Sequence, residues 1–224
     1  TYAINRMDAF RKTLRKQDHV AVEATGNTAW FMEQIRGRVR KVIPVDPNQF
    51  TVIRKSVKKT DKHDAKMLAL FLSKGMLPEA RMKQKEHSQL HSLAMTRDKL
   101  VKQRTALVNK IHNVLNNHGM KWKKETLTTE KGLKSILALD WDTIVRVELE
   151  VLADQIRSLT HNIKRLDKDI IEHGKKLKGH KNISSIKGIG EKSASVLLSV
   201  IGDVNDFATE DKLAAYMGIV PRVK

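Results

Sequence analysis

The chain has 224 residues, and 43 Lys and Arg against 25 Asp and Glu give it a formal net charge of +18. That excess names polyanions as partners, while an apolar share of 40% supplies real cores and excludes wholesale disorder. The lack of any cysteine excludes disulfides, thiolate zinc sites and cysteine nucleophiles, and no run nears the ~18 consecutive apolar residues of a membrane span or forms the core of a signal peptide, so the chain reads as cytoplasmic.

The first residues read as a helix in mid-fold. From Arg6 to Gln17, Met7, Phe10 and Leu14 recur at spacings of three and four, as one buried helix face requires. His19 to Ala24 is short and β-branched and ends in the turn cluster Thr25-Gly26-Asn27, after which Trp30 to Ile35 resumes a helical pattern. Arg40 to Val45 reads as a second strand, with Pro44 arguing for an edge or strand-end position. Asp46 and Pro47 then supply an N-cap and a first helical position, and Phe50, Ile53 and Val57 line one face of the helix that follows. Strand, helix, strand, helix is a βαβ unit, which implies a parallel sheet. Two parallel strands do not make a stable sheet, so the reading expects further strands, most simply from a segment upstream of Thr1 and otherwise from another chain.

A further helix is expected from about Asp61 to just before Gly75. Beyond it the period changes. Leu93, Leu100, Leu107 and Val114 form one row and Ala94, Val101, Val108 and Leu115 the next, while Leu149, Leu152, Ile156, Leu159, Ile163, Leu166 and Ile170 alternate in steps of three and four. Such heptads predict two long coiled-coil helices, paired as an antiparallel hairpin or with a second subunit, and Asn116 to Asp142 reads as a reversal holding a short helix. Arg97 and Arg104 fall in the first seam and weaken a simple dimer core. From Asn182 the chain is Gly-punctuated, with helices predicted over Ala194 to Ile201 and around Lys212 to Met217.

Three groups of residues could carry chemistry. Glu23 ends a parallel strand, the edge where open α/β sheets place ligands, and Asp61 and Asp64 share one face of a helix start. Clustered carboxylates repel unless a cation joins them; Mg²⁺ takes carboxylate, phosphate and water oxygens, and two such ions about 3.5–4 Å apart promote phosphodiester cleavage. The competing reading makes Asp61 a helix cap and Asp64 a complement to the helix dipole. The second group is Ile186-Lys187-Gly188-Ile189-Gly190-Glu191-Lys192-Ser193-Ala194, a helix-hairpin-helix-like pattern whose glycines would let backbone N–H groups reach a phosphate, with Lys187 and Lys192 adding charge; its alternative is a tight packing turn. The third group is the lysine-rich surface of the two long helices, ordinarily a solvated face, and 4% aromatics argue against binding dominated by base stacking.

Taken in order, Val22-Glu23-Ala24-Thr25-Gly26, Lys59-Thr60-Asp61 with Asp64-Ala65, the heptads, Gly188-Ile189-Gly190 and Leu213-Ala214-Ala215-Tyr216 with Gly218 and Pro221 resemble the insertion-sequence transposases with a DEDD active site, the group that includes pilin-gene invertases and bridge-RNA-guided recombinases. The resemblance implies an α/β plus α protein: a partial RuvC-like domain of the ribonuclease-H type at 1–80, a coiled coil at 81–180, and the start of a helix-hairpin-helix-like transposase domain at 181–224. It implies that Glu23, Asp61 and Asp64 are three of four catalytic Mg²⁺ ligands, that the first Asp precedes Thr1, and that a nucleophilic Ser follows Lys224 and is neither Ser193 nor Ser195. Lys59, Lys187, Gly188, Gly190, Lys192 and Arg222 become nucleic-acid contacts, with DNA as partner and a structured guide RNA in some members. The expected function is DNA recombination by strand cutting and rejoining, in a dimer or tetramer held by the coiled coil. The alternatives are a RuvC-type junction resolvase and a non-catalytic DNA-bridging protein.

Overall fold

The computed structural model describes residues 2–50 and 60–219. They are mostly helical, with one two-stranded parallel sheet. The chain divides into two compact units, Thr1–Met82 and Lys83–Lys224.

In the first unit, α1 (Met7–Thr13) leads to β1 (His19–Glu23), α2 (Thr28–Ile35), β2 (Lys41–Val45) and α3 (Asp61–Ser73). The strands pair in parallel from His19 opposite Lys41 to Glu23 opposite Val45, as the βαβ reading requires. Helix α1 stops earlier than its apolar spacing suggests. Leu14 is already extended, because the Asp18 carboxylate accepts from Arg15 N at 2.8 Å and Asp18 N donates to Arg15 O, a local turn that competes with the helix. Pro44 sits one residue from the end of β2, where its missing N–H costs little, and its carbonyl accepts from Ala80 N at 2.7 Å. Ile35, Val45 and Phe50 are buried, and the Phe50 ring meets Phe71 edge-on. The helix expected to carry Ile53 and Val57 lies outside the described residues.

The second unit is built on α4 (Lys85–Asn117) and α6 (Thr143–Gly174), with the short α5 (Glu130–Leu137) in the connection between them. Arg97 bonds Asp167, Arg104 bonds Thr160 and Lys110 pairs with Glu148, so partners descend on α6 as they ascend on α4 and the pair is antiparallel. Near the turn, Val108, Ile111, Leu115, Leu127, Leu133, Ile136, Trp141, Leu149 and Ile156 form one buried cluster; Leu90, Ala94 and Ile170 form another at the far end. Helices α7 (His180–Ser184), α8 (Glu191–Ile201) and α9 (Glu210–Tyr216) follow, and α8 packs against both long helices.

Of the two pairings that the heptads allow, the chain makes the antiparallel hairpin. Leu149, Ile156, Ile163 and Ile170 of the second row are buried within one chain, whereas Leu152, Leu159 and Leu166 are half-buried. The two seam arginines are satisfied inside the same hairpin: Arg97 Nε donates to Asp167 Oδ1 at 2.9 Å, and Asp167 chiefly through this bond holds the guanidinium charged.

Helix α6 ends at Gly174, where an added Cβ would collide with the side chain of buried Ser195 on α8. Gly174→Ala should therefore cost about 1–3 kcal/mol by overpacking, measured by urea denaturation. A second expectation concerns pH. Burial, with Lys83 adding to it, lowers the pKa of His91 below its ordinary 6.5. Below that pH the unfolded chain takes up a proton that the folded chain resists, so this group's contribution to stability should be complete above pH 6.5 and decline as pH falls beneath it. His91→Gln should flatten that decline in a denaturation series across pH 5–7.5.

Candidate functional site

The acidic residues sit where strand and helix ends place them. Glu23 is the last residue of β1 and is exposed. The chain beyond it is turned by one buried hydroxyl: Thr28 Oγ1 donates to Glu23 O at 2.7 Å and accepts from Thr25 N at 2.8 Å, while Ala24 N donates to Val45 O. Thr28 is wholly buried, so this clamp fixes the backbone that carries Glu23. The motif reading noted Thr25, Gly26 and Asn27 as turn residues and missed Thr28; Asn27 is at the N-cap position of α2, but Thr28 supplies the side-chain bonds.

Asp61 and Asp64 occupy the first turn of α3, which packs against β1. Neither is the cap. Thr60 fills that place, its hydroxyl accepting from His63 N and its carbonyl from Asp64 N. Asp61 is exposed. Asp64 is half-buried, and its Oδ1 is shielded from water with no hydrogen-bond donor among the described residues. A buried carboxylate oxygen in that condition is costly, and a cation is the kind of partner that removes the cost. Among the described residues, no three His, Asp or Glu side chains form a group able to hold a metal ion. None of Glu23, Asp61 and Asp64 makes an ion pair with a described residue.

In the second unit, Gly188 has φ +93°, a conformation that favours glycine, and it turns the chain into α8. Gly190, at the N-cap of α8, has an ordinary φ of −78°, and a Cβ there would meet nothing within 4 Å. Glycine is among the residues favoured at an N-cap, and its backbone here stands open. Lys187 is exposed, whereas Lys192 Nζ lies 3.4 Å from Asp167 Oδ2 and Lys175 Nζ lies 2.7 Å from Glu191 Oε1, so two ion pairs tie the first turn of α8 to α6 and to the residue that follows it. Asp167, which no spacing rule singled out, thus serves Arg97 and Lys192 together. Ser195 is fully buried, its Oγ donating to Glu191 O and lying 3.0 Å from His180 Nε2; it is a packing residue. Lys59 and Arg222 lie outside the described residues.

Comparison with known proteins follows the same order along the chain. Residues 5–120 match a family model described as a transposase of the DEDD IS110 type, and residues 180–224 match one described as the transposase IS116/IS110/IS902 family. A Pseudomonas aeruginosa protein named "Probable family 20 transposase" is 28% identical over 214 residues, covering 91% of this chain and 61% of its own length. A Coxiella burnetii protein named "Transposase for insertion sequence element IS1111A" is 25% identical over 206 residues, covering 91% of this chain and 56% of its own. The chain thus spans little more than half the length of these relatives.

The Thr28 clamp is directly testable. Thr28→Val keeps the shape but orphans Glu23 O and Thr25 N, and should cost about 1–3 kcal/mol. Asn27→Ala loses one exposed bond from Thr25 Oγ1 and should stay within about 0.5 kcal/mol. Thermal denaturation of both variants checks the difference.

Proposed function

The chain belongs to the IS110 family of transposases, and on that premise we propose that it supplies an acid-lined metal site and a phosphate-contacting turn to an enzyme that cuts and rejoins DNA at the ends of an insertion sequence. The observation that carries this reading is Asp64, a carboxylate with one oxygen buried and without a donor among the described residues, at the start of a helix already capped by Thr60. With the cap supplied elsewhere, neither Asp61 nor Asp64 is needed to start α3, which weakens the reading of these acids as caps in a DNA-bridging protein.

In this proposal the first unit is the RuvC-like part, and Glu23, Asp61 and Asp64 are its contribution to a Mg²⁺ site. Bound there, Mg²⁺ would supply Lewis-acid activation of a phosphodiester. The chain's own residues do the positioning: Thr28 fixes the strand end that bears Glu23, and Thr60 fixes the helix start that bears both aspartates. In the second unit, Lys187 and the open backbone at Gly190 contact phosphate without reading bases, while Lys192 is held against Asp167 and orients that turn. A nucleophilic serine is not found in Ser195, whose burial denies it to a substrate. DNA is the partner, and a structured guide RNA is a partner that the family resemblance adds.

The full-length reading frame should cleave a DNA duplex bearing an element end in Mg²⁺ and not in EDTA. Asp64→Asn, which keeps the size and removes the charge, should lower that rate by at least about 10²-fold, as expected for losing several kcal/mol of charge stabilisation, while leaving the circular dichroism unchanged. Equal cleavage with and without Mg²⁺ overturns the reading.

A further inference from the structure

From Lys99 to Lys124 the chain holds seven Lys and Arg residues, namely Lys99, Lys102, Arg104, Lys110, Lys121, Lys123 and Lys124, and not one Asp or Glu. Three of the seven have work inside the fold. Arg104 donates to Thr160 Oγ1, Lys110 pairs with Glu148 at 2.8 Å and Lys124 donates to Asn109 Oδ1. Lys99, Lys102, Lys121 and Lys123 are exposed and make no side-chain hydrogen bond or ion pair with any described residue. Leaving four exposed like charges unpaired gains the folded chain nothing, so the arrangement points outward.

Its geometry is linear. At 100° per residue, Lys99, Lys102, Gln103, Ala106, Lys110, Asn113 and Asn117 fall within about 100° of arc on α4, opposite the buried Val108, Ile111 and Leu115, and they span about 27 Å of helix. Gly119, at φ +72°, then turns the chain, and Lys121 and Lys123 flank Trp122, which packs on the turn-side core. The opposing helix has the reverse character. Residues 140–154 hold five acids and one arginine, and Ile144, Val147 and Val151 stand exposed among them. Of the two long helices, α4 is therefore the one that favours a polyanion near the turn end of the hairpin.

Among the described residues, no large apolar side chain is exposed between Met95 and Ile144, so the strip lacks what an anionic membrane surface would take up. It presents no exposed aromatic ring, which unpaired RNA bases require, since Trp122 is committed to the core. Lysines interleaved with Gln and Asn amides suit the phosphates and sugars of a regular duplex.

We propose that this strip, from Lys99 to Lys123, is a separate binding surface for the backbone of double-stranded DNA, distinct from the acidic residues of the first unit and from the Gly188–Gly190 turn. The inference rests on the DNA-processing reading above but not on catalysis. It is tested by fluorescence anisotropy with the whole chain, a 30-base-pair duplex and a folded RNA hairpin of similar length, over a range of salt. Changing Lys99, Lys102, Lys121 and Lys123 together to Gln should reduce the salt slope of duplex binding by about 3–4, at ~0.9 per phosphate contact, while changing the same four to Arg should retain it. A control quartet with the same loss of charge, Lys164, Arg165, Lys168 and Lys212 to Gln, should lose less than half as much. The proposal fails if the slope for the duplex is unchanged, if the control quartet loses as much, or if only RNA binding falls. Loss of binding in a chain whose full-length frame never cuts DNA would leave this surface standing and defeat the proposed function instead.

Discussion

Two apolar rows, one on each long helix, face each other over about 32 Å between Leu149 and Ile170, and the second unit depends on this contact. Each fully buried Leu or Ile in it stabilises by roughly 1.5–3 kcal/mol relative to exposure, so the seam outweighs any surface ion pair at ~0–1 kcal/mol. The charged groups have a different task. Arg97 sits beside the seam and would be destabilising there alone, but Asp167 satisfies it and reaches Lys192 as well, so one carboxylate fixes both the register of the hairpin and the placement of α8. The glycine that ends α6 lets Ser195 come against the backbone, and α8 can lie flush on the long helices.

The helices and strands were legible wherever a local signal dominates. Heptad rows located α4 and α6, and the β-branched runs beside turn residues located β1 and β2. What the sequence hid was non-local or cooperative. The partners of Arg97 and Arg104 lie 70 and 56 residues away, so both arginines read as flaws in a dimer core when they are bonds within one chain. The apolar rows themselves cannot say whether their complement is in the same chain. Helix α1 was overrun because the Asp18 turn, a contest between a side chain and the helix backbone, leaves little trace in apolar spacing.

At the acidic site the residue types were readable and their support was not. Glu23, Asp61 and Asp64 stand out by strand-end and helix-start position, whereas Thr28 and Thr60, which hold those positions, look like ordinary loop threonines. The same hydroxyl chemistry serves both. A threonine accepts from a backbone N–H and so relieves a carboxylate of capping, which leaves the carboxylate's oxygens available for other partners. In the second unit the glycine pair divides similarly, since only Gly188 is demanded by its own backbone.

The division of the hairpin core into two clusters has a consequence for how the unit forms. The turn-side cluster draws on residues 108–156 and contains the connection itself, so its contacts join segments close in sequence. The far cluster joins Leu90 and Ala94 to Ile170, nearly eighty residues on. Loop-closure entropy makes the second contact the more expensive to form from an open chain, and forming the first cluster shortens the effective loop that remains. Assembly is therefore cheapest as a zipper that closes at the turn and runs toward Leu90 and Ile170. By the same ordering the end where α8 docks is the last to be secured, and Asp167 with its two cations is the latch that closes it.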